Sequence, residues 1–455
     1  MQIAQACAVT LIFHELYYYA LEGRDSFLVD FMPALGLRLA RPLKCLLHTA
    51  VLIASLATVL NPGSGEITLL AILVIIYCAN HRQRLSNHLL IVSFVLLVCF
   101  MNNNVESMQL LDNRKFIICV LGLIYFFGFF HKINRAFLSQ EKSCANVYFR
   151  SILQERFNIT PWGVVEKILP FSIVAIEAAL LVALHFPPLY GWAFIAAIFL
   201  HYLFGITGNP HFSVLMNCLL LVVINEEIAI EGFEILVVVL FAVFTFIITD
   251  RSRFRIRWAE NLSIFLFGGL SGLSCILVFK AIPEFGHPEL IFQKDYQMPF
   301  YAWAALFLLF INCCSAYFGK TEFCLAMFSG LRPDLNNHYF FKRIGSKNFL
   351  ERNYYEILEV RTNRLARNNS SLTIRLAVQT LDQHVQIYYG TRFLNETLRL
   401  LSRNNISISI KLRMCKSERS FWIDETQTLD VRGLTDRFSA YPPYLAKNDE
   451  FAYMG

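Results

Sequence analysis

The chain has 455 residues, 56% of them hydrophobic and only 16% charged, with a formal net charge of +6 and a mean hydropathy of +0.48. Soluble domains carry roughly a quarter of their residues charged, so this composition excludes an ordinary soluble enzyme. The basic residues lie in short loops rather than in one patch, which excludes a nucleic-acid footprint.

The apolar residues gather in runs that suit spanning helices, each needing about 20 residues at 1.5 Å rise. In chain order the candidate spans are 3–19, 45–60, 67–79, 89–101, 116–130, 168–184, 192–204, 214–224, 235–248, 264–279 and 300–317. Several are short, so the sequence predicts about nine to eleven spans. The first run reads as a span and not as a signal peptide, because no basic stretch precedes it and His14 and Glu15 interrupt it. The 12 cysteines contain no C-x-x-C pair and fall mostly inside the apolar runs, so they read as small packing residues and not as a disulfide framework or zinc ribbon.

Loop charge gives an orientation. On an eleven-span count, Arg38, Arg41 and Lys44, then Arg82 and Arg84, then Lys132, Arg135, Lys142 and Arg150, then Arg251, Arg253, Arg255 and Arg257 all fall on one side. The opposite loops, 61–66, 186–191 and 225–234, are neutral or acidic, with Arg114 and Lys115 as the exception. The rule therefore predicts an outside N-terminus and a cytoplasmic C-terminus.

After about residue 331 the texture changes to frequent charge and short apolar runs. Residues 372–378 and 406–412 alternate as half-buried strands do, and 393–401 reads as an amphipathic helix. The fold expected is an all-α polytopic membrane domain over 1–331 and a small soluble α/β domain over 332–455.

Ionisable groups at membrane depth are costly and so need a reason. Three places stand out: Ser86, Asn87 and His88 opening the fourth span; Tyr125, Gly128, His131, Lys132 and Asn134 closing the fifth; and His201 and Tyr202, with Asn209, Pro210 and His211, between the seventh and eighth. All three lie towards one membrane face, so His, Lys and Asn side chains are expected to converge on one cavity there. Removing an ammonium from water favours its neutral form, which is a general base near neutral pH. Lys132 is therefore the candidate base, the plain alternative being a lysine that snorkels to the headgroups. Tyr125, Gly128 and Lys132 share a helix face, and Gly128 lets a flat ligand or another helix approach. His88 is a candidate donor to a developing oxyanion or a proton relay. Glu177, a second intramembrane acid, could pair with a histidine or a lysine, and the sequence does not say which. No metal site is proposed, because His201 and His211 lack ligand spacing on a helix.

Together these segments resemble the vitamin K-dependent γ-carboxylase-like superfamily, also called the HTTM membrane domain. Ser86-Asn87-His88-Leu89 resembles its Asn-Asn-His helix start. Tyr125-Phe126-Phe127-Gly128 with Lys132-Ile133-Asn134 is similar to its Tyr-Phe-x-x-Gly-x-x-Lys-Leu-Asp segment. His201 and Phe212-Ser213 resemble its Phe-His…Phe-Ser stretch. The run from Thr321 through Met327-Phe328-Ser329 and Arg332 to Asn337-His338 resembles a segment of bacterial members that also end in a small α/β domain. The resemblance implies a bacterial inner-membrane protein in which Lys132 deprotonates a reduced quinone and His88 hydrogen-bonds it. Asn87, Tyr125, Gly128 and His201 would hold the quinone; molecular oxygen, and carbon dioxide in a carboxylase, would be co-reactants. The implied partners are the lipid bilayer and a membrane quinone, the alternative being a non-enzymatic transporter or scaffold whose C-terminal domain binds a partner.

Overall fold

The structure is a computed structural model and describes residues 2–22, 39–80, 87–104, 112–156, 158–206, 210–224, 230–249, 256–285, 298–318, 338–340, 354–362, 381, 387–403, 405–414, 420–424, 427 and 444–446. Each of the eleven apolar runs in the sequence is helical. They form α1 (Ile3–Glu22), α2 (Arg41–Leu60), α3 (Ser64–Asn80), α4 (Asn87–Asn104) and α5 (Asn113–Lys132), then α7 (Gly163–Ala183), α8 (Tyr190–Ile206), α9 (Pro210–Ile224), α10 (Gly232–Ile248), α11 (Arg257–Phe285) and α12 (Phe300–Cys314). A short α6 (Cys144–Arg150) continues into one π-helical turn, Ser151–Arg156.

Local chemistry sets the ends. Asp112 caps α5 by accepting from the Lys115 amide at 3.0 Å. Glu231 and Glu234 form a reciprocal capping box on α10. Pro42 stands in the first turn of α2, where its missing N–H costs nothing. Five stretches, Pro42–Leu60, Asn87–Asn104, Asn113–Lys132, Pro187–Ile206 and Arg257–Pro283, are long and apolar enough to cross a membrane; α3, α9, α10 and α12 are apolar but shorter.

The centre of the bundle is α9, in which every residue from His211 to Ile224 is buried. A helix apolar all round belongs in the interior, and α1, α4, α5, α8 and α11 pack around this one. The outer surface is the reverse of a soluble protein's. Leu60, Phe199, Phe233, Ile247, Phe300 and Phe307 are each more than half exposed, a continuous excess of apolar surface that soluble monomers avoid. Between α10 and α11 the backbones approach closely: a Cβ on Gly268 would meet Thr245 and the Ala242 backbone, as small residues permit at helix contacts in membranes.

The C-terminal elements form a five-stranded antiparallel sheet of order β4-β3-β1-β2-β5. The strands are β1 (Tyr354–Thr362), β2 (Ile387–Gly390), β3 (Ile408–Met414), β4 (Ser420–Asp424) and β5 (Tyr444–Ala446). Helix α13 (Thr391–Arg403) buries Leu394, Leu398 and Leu401 against Ile357, Ile408, Ile410, Leu412 and Ile423. The helix and second strand expected over 393–401 and 406–412 are α13 and β3, while the strand expected over 372–378 lies outside the described residues. The first described residues after the expected domain boundary, 338–340, belong with the helical part: the Tyr339 amide donates to the Ile133 carbonyl at 3.3 Å.

Candidate functional site

Lys132 is the last residue of α5 and is buried in the bundle. Its Nζ lies 2.8 Å from both carboxylate oxygens of Glu177 and donates to the Gly128 carbonyl at 3.1 Å. The two side chains are only 4% and 6% exposed, so both charged heads are enclosed by protein. Gly128 provides the room. A Cβ there would stand 3.3 Å from Glu177 Oε1, so this glycine lets the neighbouring helix bring its carboxylate close. The Phe137 ring covers the ammonium, its centroid 5.7 Å from Nζ.

Two turns before Lys132 on α5, the Tyr125 hydroxyl is hydrogen-bonded to His201 Nε2 at 2.9 Å, both groups buried. His201 is held by α9, where Ser213 Oγ donates to the His201 carbonyl at 2.6 Å and the Phe212 ring meets the imidazole edge-on at 5.6 Å. Its other nitrogen, Nδ1, is buried without a partner among the described residues. Tyr125, Gly128, Lys132, Glu177 and His201 therefore form one polar island within α5, α7 and α8.

His88 belongs to a second island. Its Nε2 lies 2.7 Å from His14 Nδ1, and the other nitrogen of His14 is 3.0 Å from the Tyr77 hydroxyl. The His88 and His211 rings stand 4.2 Å apart. Beside them His48 Nδ1 pairs with Glu15 at 2.6 Å, both buried. The sequence reading treated His14 and Glu15 only as interruptions of an apolar run and passed over His48 and Tyr77. Their signal is the one that singles out Lys132, a polar or ionisable side chain inside an apolar run. The two islands meet across the first turn of α9, where His211 faces one and Phe212 the other. Of the three residues expected to converge, Lys132 and His201 are bonded to Glu177 and Tyr125 respectively, and His88 to His14. Asn87 opens α4 and is half-buried; Ser86, Asn209 and most of the 321–338 motif lie outside the described residues.

The described end of that motif, His338, sits on the C-terminus of α5. Nε2–H donates to the Phe130 carbonyl at 2.9 Å, and Nδ1 accepts the Phe340 amide at 3.2 Å. These two bonds specify the neutral Nε2–H tautomer, and burial holds the imidazole below the ordinary histidine range. Beside it Asn134 donates to the His131 carbonyl at 2.7 Å and accepts the Phe137 amide at 2.9 Å. Asn134 and His338 thus secure the helix end that carries Lys132.

Among the described residues no group of three or more His, Cys, Asp or Glu side chains is arranged to hold a metal ion. No family model, no curated protein and no solved structure matches the chain.

Proposed function

We propose that this is a multi-pass membrane protein of the vitamin K-dependent γ-carboxylase-like kind, whose helical domain performs quinol- and oxygen-dependent proton-transfer chemistry on a substrate of unassigned identity. The apolar outer surface supports the membrane reading, since water would disfavour so many exposed Leu, Ile and Phe side chains. The single observation that carries the chemistry is the buried Lys132–Glu177 pair. Burying both ions costs several kcal/mol each before their attraction is counted, and an intramembrane pair of this kind marks a site of function. Passing one proton from Nζ to a carboxylate oxygen converts the ion pair to a neutral pair with no change in net charge. The pair is therefore equipped to hand a proton in either direction.

A reduced quinone, when bound, supplies the acidic hydroxyls and the reducing equivalents. Its fit rests on His201 Nδ1, a buried nitrogen aimed away from Tyr125 and lacking a protein partner among the described residues. That atom would hold a quinone oxygen. Tyr125 orients the imidazole through Nε2, Lys132 and Glu177 take up and release the proton, and the surrounding phenylalanines keep water out.

A second reading is favoured by one specific observation: Lys132, His201 and His88 each already have a hydrogen-bonded side-chain partner on another helix. In that reading they fasten the helices of a transporter or scaffold. Oxygen uptake by the purified protein with a reduced menaquinone decides between the two. Uptake above the protein-free rate, lost in Lys132→Ala with helix content retained, is the expected result. Equal rates with and without protein would leave the fastening role. The cytoplasmic placement of the C-terminal domain is tested with Ser407→Cys on the exposed turn before β3, which should resist an impermeant maleimide applied to intact cells.

A further inference from the structure

We propose that Tyr77, His14 and His88 form a buried proton relay across α1, α3 and α4, ending at His211 on α9. The relay is separate from the Lys132–Glu177 site and does not depend on quinol chemistry. Its geometry is specific. His14 uses both ring nitrogens, Nε2 at 3.0 Å from the Tyr77 hydroxyl and Nδ1 at 2.7 Å from His88 Nε2. Two imidazole nitrogens this close require one hydrogen between them, so one must be N–H and the other an acceptor.

A neutral His14 therefore has two states that satisfy both bonds. In one, Nδ1–H donates to His88 Nε2 and Nε2 accepts the Tyr77 hydroxyl proton. In the other, Nε2–H donates to the Tyr77 oxygen and Nδ1 accepts from His88 Nε2–H. Moving the hydroxyl proton of Tyr77 to His14 Nε2, and the Nδ1 proton of His14 to His88 Nε2, leaves His14 neutral in its other tautomer and separates a Tyr77 phenolate from a His88 imidazolium; one proton gained at the phenolate oxygen and one released from His88 then complete the net transfer of a single proton along the chain. No oxidant or co-reactant is needed. A chain of one phenol and two imidazoles is the arrangement a relay requires, because an imidazole can accept at one nitrogen while releasing from the other.

What surrounds the chain gives it a direction. On the His88 side the ring of His211 lies 4.2 Å away, and His211 Nδ1, 8% exposed as a residue, has no partner among the described residues. It is the next acceptor. On the Tyr77 side the buried His48–Glu15 pair sits edge-on to the phenol ring, with the His48 centroid 5.1 Å away. Its carboxylate, held on His48, places an anion beside the phenol end of the chain. The rings of Tyr17 and Tyr18, from α1, meet His211 and His14 at 5.0 and 4.6 Å and wall the remaining sides. Packing alone would account for one buried histidine bonded to one hydroxyl. Three histidines from three helices with their rings in contact, one hydrogen-bonded through both nitrogens and one with a nitrogen lacking a partner among the described residues, go beyond what helix fastening needs.

The test reads the proton itself. Protein labelled with nitrogen-15 at histidine is placed in phosphatidylcholine bilayers, and its imidazole nitrogens are observed by magic-angle-spinning NMR. Expected are a coupling across the hydrogen bond between His14 Nδ1 and His88 Nε2, and exchange broadening of His14 that slows several-fold in D2O. Tyr77→Phe should abolish the exchange, leave His14 in one sharp tautomer and keep the coupling. A single fixed tautomer in the unaltered protein, insensitive to temperature and D2O, overturns the relay. So does a stoichiometric metal found by elemental analysis whose removal is needed before the coupling appears. His14→Gln assigns the coupled pair; should it fail to fold, the temperature and solvent dependence of the unaltered protein still decides.

Discussion

Replacing either partner of the Lys132–Glu177 pair should be among the most destabilising single changes in the bundle. Both side chains are almost wholly enclosed, and Nζ contacts both carboxylate oxygens at 2.8 Å. Lys132→Met leaves a carboxylate, and Glu177→Gln leaves an ammonium, in a site with little water to solvate it. Breaking a buried pair in this way costs about 3–5 kcal/mol. An ordinary interhelical hydrogen bond in a membrane averages about 0.6 kcal/mol, so a threshold near 2 kcal/mol separates the two cases. The double variant Lys132→Met/Glu177→Leu removes both charges and fills similar volume. It should lie within about 1 kcal/mol of the unaltered protein, because apolar replacement of a whole buried pair is often neutral or stabilising. The assay is reversible unfolding in mixed micelles, followed by far-ultraviolet dichroism as the denaturing detergent fraction rises. Single variants within about 1 kcal/mol of the parent, or a double variant as unstable as the sum of the singles, would refute the claim that two uncompensated charges are at stake.

Gly128→Ala should cost about 1–3 kcal/mol in the same assay, since its Cβ would stand 3.3 Å from Glu177 Oε1 and the carboxylate would have to yield while staying on Lys132. Docking of 338–340 on α5 should weaken as pH falls. His338 is held below its ordinary value, so its contribution is present above about pH 6.5 and is lost as acid drives protonation of Nδ1, the atom that accepts the Phe340 amide. Faster amide exchange at Tyr339 at pH 5 than at pH 8, after correction for intrinsic rates, is the expected readout, and His338→Gln should remove the difference. In the C-terminal domain Ile410→Ala should destabilise by about 2–5 kcal/mol, because Ile410 is fully buried under α13; a shift below about 1 kcal/mol in thermal unfolding would mean that the helix does not rest on this strand.

Much of the architecture was legible because it is written locally. Apolar runs reveal helices regardless of what they touch, and each of the eleven runs coincides with a helix among the described residues. The alternation over 406–412 and the amphipathic period over 393–401 marked β3 and α13 for the same reason: period and face are properties of a few neighbouring residues. The expense of ionisable groups in apolar helices also pointed to Lys132, His88, His201 and Glu177 without any structure. Partners were another matter. Glu177 was open to a histidine or a lysine, and His14 looked like a blemish in a hydrophobic run.

What the sequence by itself determined is the set of helices and the polar atoms they carry into the interior. Only the tertiary structure decided how those atoms pair. Lys132 finds its carboxylate 45 residues away, and His88 finds its imidazole 74 residues away. Such pairings depend on which helices become neighbours and how each is rotated about its axis, and those choices are made by packing around α9. Local periodicity does not carry that information.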